Sequence, residues 1–530
     1  MATASEAALS LHSINPRVIA AEYAVRGRVP KRAEEIENRI KSGEKYPFNK
    51  VMYCNIGNPH KLGQHPISYF RQLCSILFYP DLLEEKAVSS LFPLDIQKRA
   101  RSILAQIPGG IGAYSISQGF PFVRNDVAEF ITKRDGYECD KDSIFLTQGA
   151  SAGVSVVLNL LIASENDGCL IPIPQYPLYS GTLSLLGAKE VPYQLDEQSH
   201  WSLSMDSIKK AVEDSESLGV HLKGLVVINP GNPTGTCLSE ENIKDILFFA
   251  NAHKIAVLAD EVYQTNIYNP AEKPFVSFRH VLKKYSNELK SVVLFSFHSV
   301  SKGFVGECGF RGGYFQTEGL DQDVHNQILK LQSLSLCPNV MGQILVDLMV
   351  KPPTPEDESY PLYLAESTAI LSSLKRRALR LSAALNDLPG CSCQPIEAAL
   401  YAFPSIKIPP KAVQAAHDKG HSPDEFYCLS LLEEEGICVV PGSGFGQKDG
   451  SFHFRTTILP REEDFDDLIH RFKEHHIRFL EKWGAEQDVE KMLEEEKKEE
   501  NEQKDHLHYL SHLKSSKPSC LKKNSSDNFM

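Results

Sequence analysis

No two cysteines stand in a C-x-x-C spacing, although the chain has 12 of them. That excludes zinc fingers and ribbons built on such pairs. Cys391 and Cys393 form a lone C-x-C, which is weak ground for a metal or a disulfide; reduced thiols in a cytosolic-type compartment are expected instead. No apolar run reaches bilayer length. The best, VSVVLNLLIA, is too short, so no membrane partner is expected. Positive charge is scarce: 56 Lys and Arg stand against 68 Asp and Glu, for a net charge of −12. A general binder of nucleic acid is therefore not expected. The opening MATASEAALSLHSINPR has no basic region ahead of an apolar core. It also carries an early acid, where organelle presequences are Arg-rich and acid-poor. The ending DNFM is not a peroxisomal tripeptide. The expected location is cytoplasmic. No internal repeat is visible.

What is present is ordinary globular material, with 42% apolar and 23% charged residues in a chain of 530. Three short runs are rich in β-branched residues: GLVVINP (224–230), KIAVLADEVY (254–263) and SVVLFSFHS (291–299). They lack polar alternation, as strands do when helices cover both faces of a parallel sheet. Between the first two lies SEENIKDILFFANAHK, with Ser239 as a helix start and acids in the first turn. SIFLTQ reads as another strand, followed by the apolar helix SAGVSVVLNLLIA. The fold class is α/β. After Pro352-Pro353 the pattern changes to a long amphipathic helix and then mixed strands and helices, which suggests a smaller α+β domain. The expected division is an N-terminal arm with part of the small domain (1–94), a large domain (95–350), a small C-terminal domain (351–484) and a charged tail (485–530). His506, His508 and His512 lie in that tail, where a solvated face is a better reading than a metal site.

In open parallel sheets, ligands bind beyond the carboxyl ends of the strands. The residues at those ends are chemically diverse. NPGNPTG supplies Asn232. ADEVY supplies Asp260 and Tyr263. SFHSVSKG supplies Ser299 and Lys302, with Arg311 shortly after. Gly149-Ala150-Ser151 opens a helix whose free N–H groups can cradle an anion. Phosphate suits Arg311, Ser299 and the helix start at Ala150 and Ser151. A protonated ring nitrogen suits Asp260, and a phenolic oxygen suits Asn232 and Tyr263. An aldehyde suits Lys302, and a ring needs a stacking partner such as Tyr176. One cofactor carries all five groups: pyridoxal 5′-phosphate. The blander readings are a snorkelling surface lysine for Lys302, a structural carboxylate for Asp260, a simple turn at Asn232 and core aromatics at Tyr176 and Tyr263.

These residues sit in a series of longer motifs: INPRVIAAEYAVRG, NIGNPH, GAYSISQG, LTQGASAGV, IPQYPLYS, NPGNPTG, ADEVYQ, SFHSVSKG, GECGFRGGY and FRTTIL. In this order the chain, from about Ile14 to about Trp483, resembles the class I-like aminotransferases of PLP fold type I, and among them the alanine aminotransferases. The resemblance implies a large domain with a mostly parallel sheet and a smaller α+β domain. It implies a Schiff base on Lys302, with Asp260 and Tyr263 completing the catalytic set. It implies that Arg455 of FRTTIL forks the substrate α-carboxylate, against the alternative of an interdomain ion pair. Gly57 would let the N-terminal segment approach the substrate. Tyr114 would reach the phosphate of a neighbouring subunit, in a homodimer with shared sites. The implied partners are amino acids and 2-oxo acids, and the implied reaction is ping-pong transamination of L-alanine with 2-oxoglutarate. A glutamate–glyoxylate aminotransferase is the alternative within the family, and a non-catalytic ligand sensor the alternative outside it. One departure stands out: IEAALYAFP has Ala398 where the family usually has glycine. Alanine would be strained there if the position needs a positive φ or a close approach.

Overall fold

A computed structural model describes residues 9–484 apart from 12, 22–26 and 86. The charged tail, with His506, His508 and His512, lies outside the described residues. The centre of the molecule is an eight-stranded sheet. Its strands, labelled in chain order, are β1 (Ile144–Thr147), β2 (Asp167–Ile173), β3 (Lys189–Asp196), β4 (Ser202–Leu203), β5 (His221–Ile228), β6 (Ala256–Asp260), β7 (Leu294–Ser299) and β8 (Gly313–Glu318). Their spatial order is β1-β8-β7-β6-β5-β2-β3-β4. The five strands β7, β6, β5, β2 and β3 run parallel, while β8 is antiparallel to both of its neighbours.

The apolar runs lack alternation because both faces are covered. Leu225, Val227, Val257, Ala259 and Leu294 point into a core made with helices Met205–Ser217, Glu240–His253 and Phe278–Lys284. The intervening Val226, Ala256, Leu258, Phe295 and Phe297 point into a second core, beneath helices Ala150–Leu161 and Leu178–Leu186. The period of two is intact, but each side is apolar. Ser239 caps its helix as the sequence suggests, its side chain accepting from Asn242 N at 3.2 Å.

Two further cores lie outside the sheet. Ile67, Phe70, Leu73, Ile96, Ala100 and Ile103 pack with helix Pro121–Asp135 and helix Val340–Val350. Val29, Ala33, Ile36, Met52 and Cys54 pack with the C-terminal helices Tyr360–Asn386, Pro423–Glu435 and Phe465–Trp483. The parallel pairing of Met52–Tyr53 with Ile437–Cys438 carries the N-terminal segment into this C-terminal body. Val262 and Tyr263 belong to the same core, so it abuts the end of β6. Cys393 keeps a free thiol, so the C-x-C is not a disulfide. Among the described residues, no helix is long and apolar enough to cross a membrane.

Two buried imidazoles make the fold acid-sensitive. Burial pushes His298 of β7 down to about 3, and burial does the same for His475 in the last helix. A depressed histidine contributes stability above its unfolded value near 6.5, and that stability is lost as pH falls toward 3. Between pH 7 and pH 5 each imidazole should remove about 2 kcal/mol of unfolding free energy. Urea denaturation at the two pH values measures this. The variant His475→Gln, which lacks one of the two, should show a shallower slope by the same amount.

Candidate active site

The register of the sheet brings the chemistry to one edge. Thr147 and Ser299 both pair with Gly313, and Asp260 pairs with Ile228 and Phe297. The carboxyl ends of β1, β5, β6 and β7 therefore lie side by side, with the start of β8 among them. Arg311 stands just before that start. Its Nη2 donates to the Gln148 carbonyl and to Ser151 Oγ, each at 3.2 Å, and its Nη1 donates to the Cys308 carbonyl at 3.1 Å. The guanidinium thus lies across the first turn of helix Ala150–Leu161. Gly149 has φ +77°, and a Cβ there would sit 2.4 Å from Arg311 Nη2. Glycine is the residue that permits the arginine to lie so close to the helix start. Ser299 is buried beside this corner, its Oγ accepting from Ser301 N at 3.3 Å. An exposed guanidinium, a hydroxyl and the first-turn N–H groups at Ala150 and Ser151 are groups that could hold a phosphate. Tyr114 is 78% exposed in the single chain.

Asp260 lies on the face of β6 that carries Ala256 and Leu258, so it meets the helix covering that face. There Tyr179 Oη donates to Asp260 Oδ2 at 3.0 Å. Burial pushes the Asp260 carboxyl up to about 6, while the Tyr179 hydroxyl, the Val262 N–H and the Lys302 charge pull it down. A cationic ring nitrogen is the partner such a buried carboxylate favours. Tyr176, three residues before Tyr179, packs against the aromatic group of Trp201, Phe403 and Phe445.

Beyond the ends of β5 and β6, residues from the C-terminal part of the chain join Asn232 and Tyr263. Asn232 Nδ2 donates to Tyr263 Oη at 3.4 Å, and Tyr263 Oη donates to Tyr401 Oη at 3.3 Å. Arg455 is only 1% exposed, unusual for an arginine. Its Nη1 donates to Asn232 Oδ1 at 3.1 Å and its Nη2 to the Asn55 carbonyl at 2.5 Å. The guanidinium is sandwiched over Tyr401 at 4.3 Å and Phe445 at 4.6 Å from the ring centroids. No acidic side chain pairs with it among the described ion pairs, so the interdomain ion-pair alternative has no partner here. Arg455 Nε has no hydrogen-bond partner. Lys302 Nζ donates to the Gly57 carbonyl at 3.3 Å and lies 5.7 Å from the Tyr263 ring centroid.

Gly57 fits tightly at this junction. A Cβ on it would fall 2.1 Å from Tyr401 Oη and 3.4 Å from Lys302 Nζ. Overpacking of this kind costs about 1–3 kcal/mol. Gly57→Ala should therefore lower kcat/KM by roughly 10- to 100-fold while circular dichroism stays native, since about 1.4 kcal/mol is tenfold.

A positive φ is not what Ala398 has to meet. Its φ is not positive; the left-handed residue is its neighbour Ala399, at φ +61°. Ala398 instead forms an isolated antiparallel bridge with Ile267, and its N–H donates to the Gly235 carbonyl at 2.8 Å. Extended backbone accepts alanine without strain.

Three contributors escape the strand-end rule: Tyr179, Tyr401 and Asn55. Tyr179 sits within the IPQYPLYS motif, yet only the helix that begins at Leu178 turns it toward Asp260. Tyr401 sits on a two-residue strand, Tyr401–Ala402, paired with Thr456–Thr457. Asn55 acts through its carbonyl, which no side-chain pattern reveals.

The donor set as a whole matches the groups of pyridoxal 5′-phosphate. Arg311, Ser299, Ser151 and the helix start could hold the phosphate, Asp260 the ring nitrogen, Asn232 and Tyr263 the phenolic oxygen, and Lys302 the aldehyde carbon. Comparison with known proteins points the same way. The family described as aminotransferase class I and II matches residues 89–472. A probable mitochondrial alanine aminotransferase from Dictyostelium discoideum is 49% identical over 90% of this chain and 90% of its own length. Glutamate–glyoxylate aminotransferase 2 from Arabidopsis thaliana is 47% identical over 90% of this chain and 98% of its own. Among solved structures, an alanine aminotransferase from Pyrococcus furiosus superposes with a TM-score of 0.68 at 25% identity, covering 88% of this chain and 100% of that one.

Proposed function

The chain belongs to the class I and II aminotransferases, and from that premise we propose that it transfers the amino group of L-alanine to 2-oxoglutarate, giving pyruvate and L-glutamate. The observation that carries the reading is the convergence of the Lys302 amine and the buried Arg455 guanidinium on one site. The substrate pair is supported by the relatives that bear the alanine aminotransferase name.

When bound, the cofactor supplies an electron sink for the charge left as the α-proton departs. The protein does the rest. Arg455 grips the α-carboxylate through a planar fork, which a lysine cannot reproduce. Arg311, Ser299, Ser151 and the helix start fix the phosphate, and the Tyr176 ring, beside Tyr179, braces the cofactor ring. Asp260, steadied by Tyr179, holds a proton on the ring nitrogen. Asn232 and Tyr263 donate toward the phenolic oxygen. Lys302 Nζ would hold the cofactor's aldehyde end, and its neutral amine would be the group that takes the proton from the α-carbon. The Arg455 clusters of Tyr401 and Phe445 exclude water and strengthen these charges. In this reading Tyr114, which projects from the single chain, completes the phosphate site of a second copy in a homodimer. The division between large and small domains falls near residue 351. A reducing compartment, cytoplasmic in the first instance, suits the chain, although relatives from Dictyostelium and Arabidopsis carry mitochondrial names.

A glutamate–glyoxylate exchange is the second reading, favoured by the 47% identity to the Arabidopsis enzyme. An acceptor panel with glutamate as donor separates them. The proposed function predicts kcat/KM for pyruvate at least about tenfold above that for glyoxylate, which corresponds to about 1.4 kcal/mol of transition-state preference. The opposite order would assign the chain to the second reading.

A further inference from the structure

Tyr401 occupies a place that neither the strand-end pattern nor the cofactor's own groups call for. It pairs with Thr457, which puts its ring diagonally across from Arg455 on the same face of the antiparallel strand pair. It is buried, and its ring lies 4.3 Å from the Arg455 guanidinium. Its hydroxyl accepts from Tyr263 at 3.3 Å, and Tyr263 in turn accepts from Asn232. That same hydroxyl and the Lys302 amine face one narrow space, since a carbon added to Gly57 would lie 2.1 Å from the first and 3.4 Å from the second. The titratable groups facing Tyr401 are Lys302, Arg455, Tyr263 and Cys308.

We propose that Tyr401 is a positioning residue that links carboxylate binding at Arg455 to the proton-transfer end of the site, by holding the Tyr263 hydroxyl hydrogen when Arg455 is free and releasing it when Arg455 is paired. The inference rests on the aminotransferase reading. Burial pushes the Tyr263 phenol far up, so it keeps its proton and donates. Burial also pushes the Tyr401 phenol up, but the Lys302 and Arg455 charges and the Tyr263 hydrogen bond outweigh it and hold it below the usual value. Tyr401 is thus the phenol of the two that gives up its proton first, and as a phenolate its oxygen accepts from Tyr263. A substrate carboxylate on Arg455 compensates one of the two cations that face it. Tyr401 then holds its own proton more firmly, and a neutral phenol is a weaker acceptor than a phenolate. The Tyr263 hydrogen is freed to turn toward the cofactor's phenolic oxygen. Arrival of a carboxylate at one end thereby adjusts the hydrogen bonding at the other, through two phenols and no backbone motion.

The test uses the loaded protein. The visible absorption band is titrated against pH in wild type, Tyr401→Phe, Tyr263→Phe and the double variant. Tyr401→Phe should shift the midpoint by about half a unit or more, a roughly threefold change in proton affinity. It should lower kcat for alanine about tenfold with KM changed less than threefold. In the Tyr263→Phe background the further change Tyr401→Phe should shift nothing, because the path runs through Tyr263. An unchanged midpoint in Tyr401→Phe, or an equal shift in both backgrounds, would overturn the proposal. Wild type alone gives a second reading should Tyr401→Phe not load. Ultraviolet titration should resolve one phenol below the ordinary value of about 10 that moves upward on adding propionate, a carboxylate without an amine. Absence of such a phenol, or its indifference to propionate, would overturn the proposal too. A wild-type protein with no visible band at all would instead count against the aminotransferase reading on which this rests.

Discussion

Replacing Lys302 with alanine should lower kcat for alanine–oxoglutarate exchange by about 10⁴-fold, the upper end of what a positioned proton carrier contributes. The structure explains why so much is asked of one amine. It is half-buried, directed by its hydrogen bond to the Gly57 carbonyl, and seated above the Tyr263 ring. Cys308 lies nearby, but burial pushes its thiol up, which leaves it a poor base. Neither Tyr263 nor Tyr179 can substitute, since burial raises both phenols. Small amines added to Lys302→Ala should restore part of the rate, because the space left by the side chain opens on the reacting end. Stability should change little, since the lysine makes a single hydrogen bond to the protein. Urea denaturation beside the kinetics would separate a lost catalyst from a lost fold.

Arg455→Lys should reduce kcat/KM for both alanine and glutamate by roughly 30- to 1,000-fold, in line with the 2–5 kcal/mol lost when a buried charge pair is broken. Both substrates should suffer alike because each presents an α-carboxylate to the same fork. An ammonium cannot reach Asn232 Oδ1 and the Asn55 carbonyl together while also pairing with a carboxylate. The protein should still load its cofactor, since in this reading Arg311, Asp260 and Lys302 hold the phosphate, ring-nitrogen and aldehyde ends. A loss confined to one substrate would move the α-carboxylate role away from Arg455.

The two predictions concern residues that differ in how they were legible. Lys302 and Asp260 close strands whose composition already shows them buried in a parallel sheet. The site follows from the rule that such strands place their ends together. Arg455 is different. Nothing in the spacing of FRTTIL places it beside Asn232. That contact depends on the register of Val440 with Arg455 and of Tyr401 with Thr457, pairings between segments remote in the chain. Here the family resemblance supplied what periodicity could not. Tyr179 and Tyr401 were invisible for the same reason: their partners are set by tertiary register, and a two-residue strand leaves no pattern. Ala398 shows the converse. The substitution is visible in the sequence, but the strained φ belongs to Ala399, one residue along. A one-residue shift in a turn is below what local composition resolves. The fold was more legible than the site because a sheet covered on both faces writes its burial into each strand.

The most direct test of the central claim is to reduce the loaded protein with borohydride, which fixes the cofactor to the amine that carries it, and to map the modified peptide by mass spectrometry. The account predicts a single pyridoxyl modification, on Lys302. Modification at another lysine, or none in a protein that still transaminates, would contradict it.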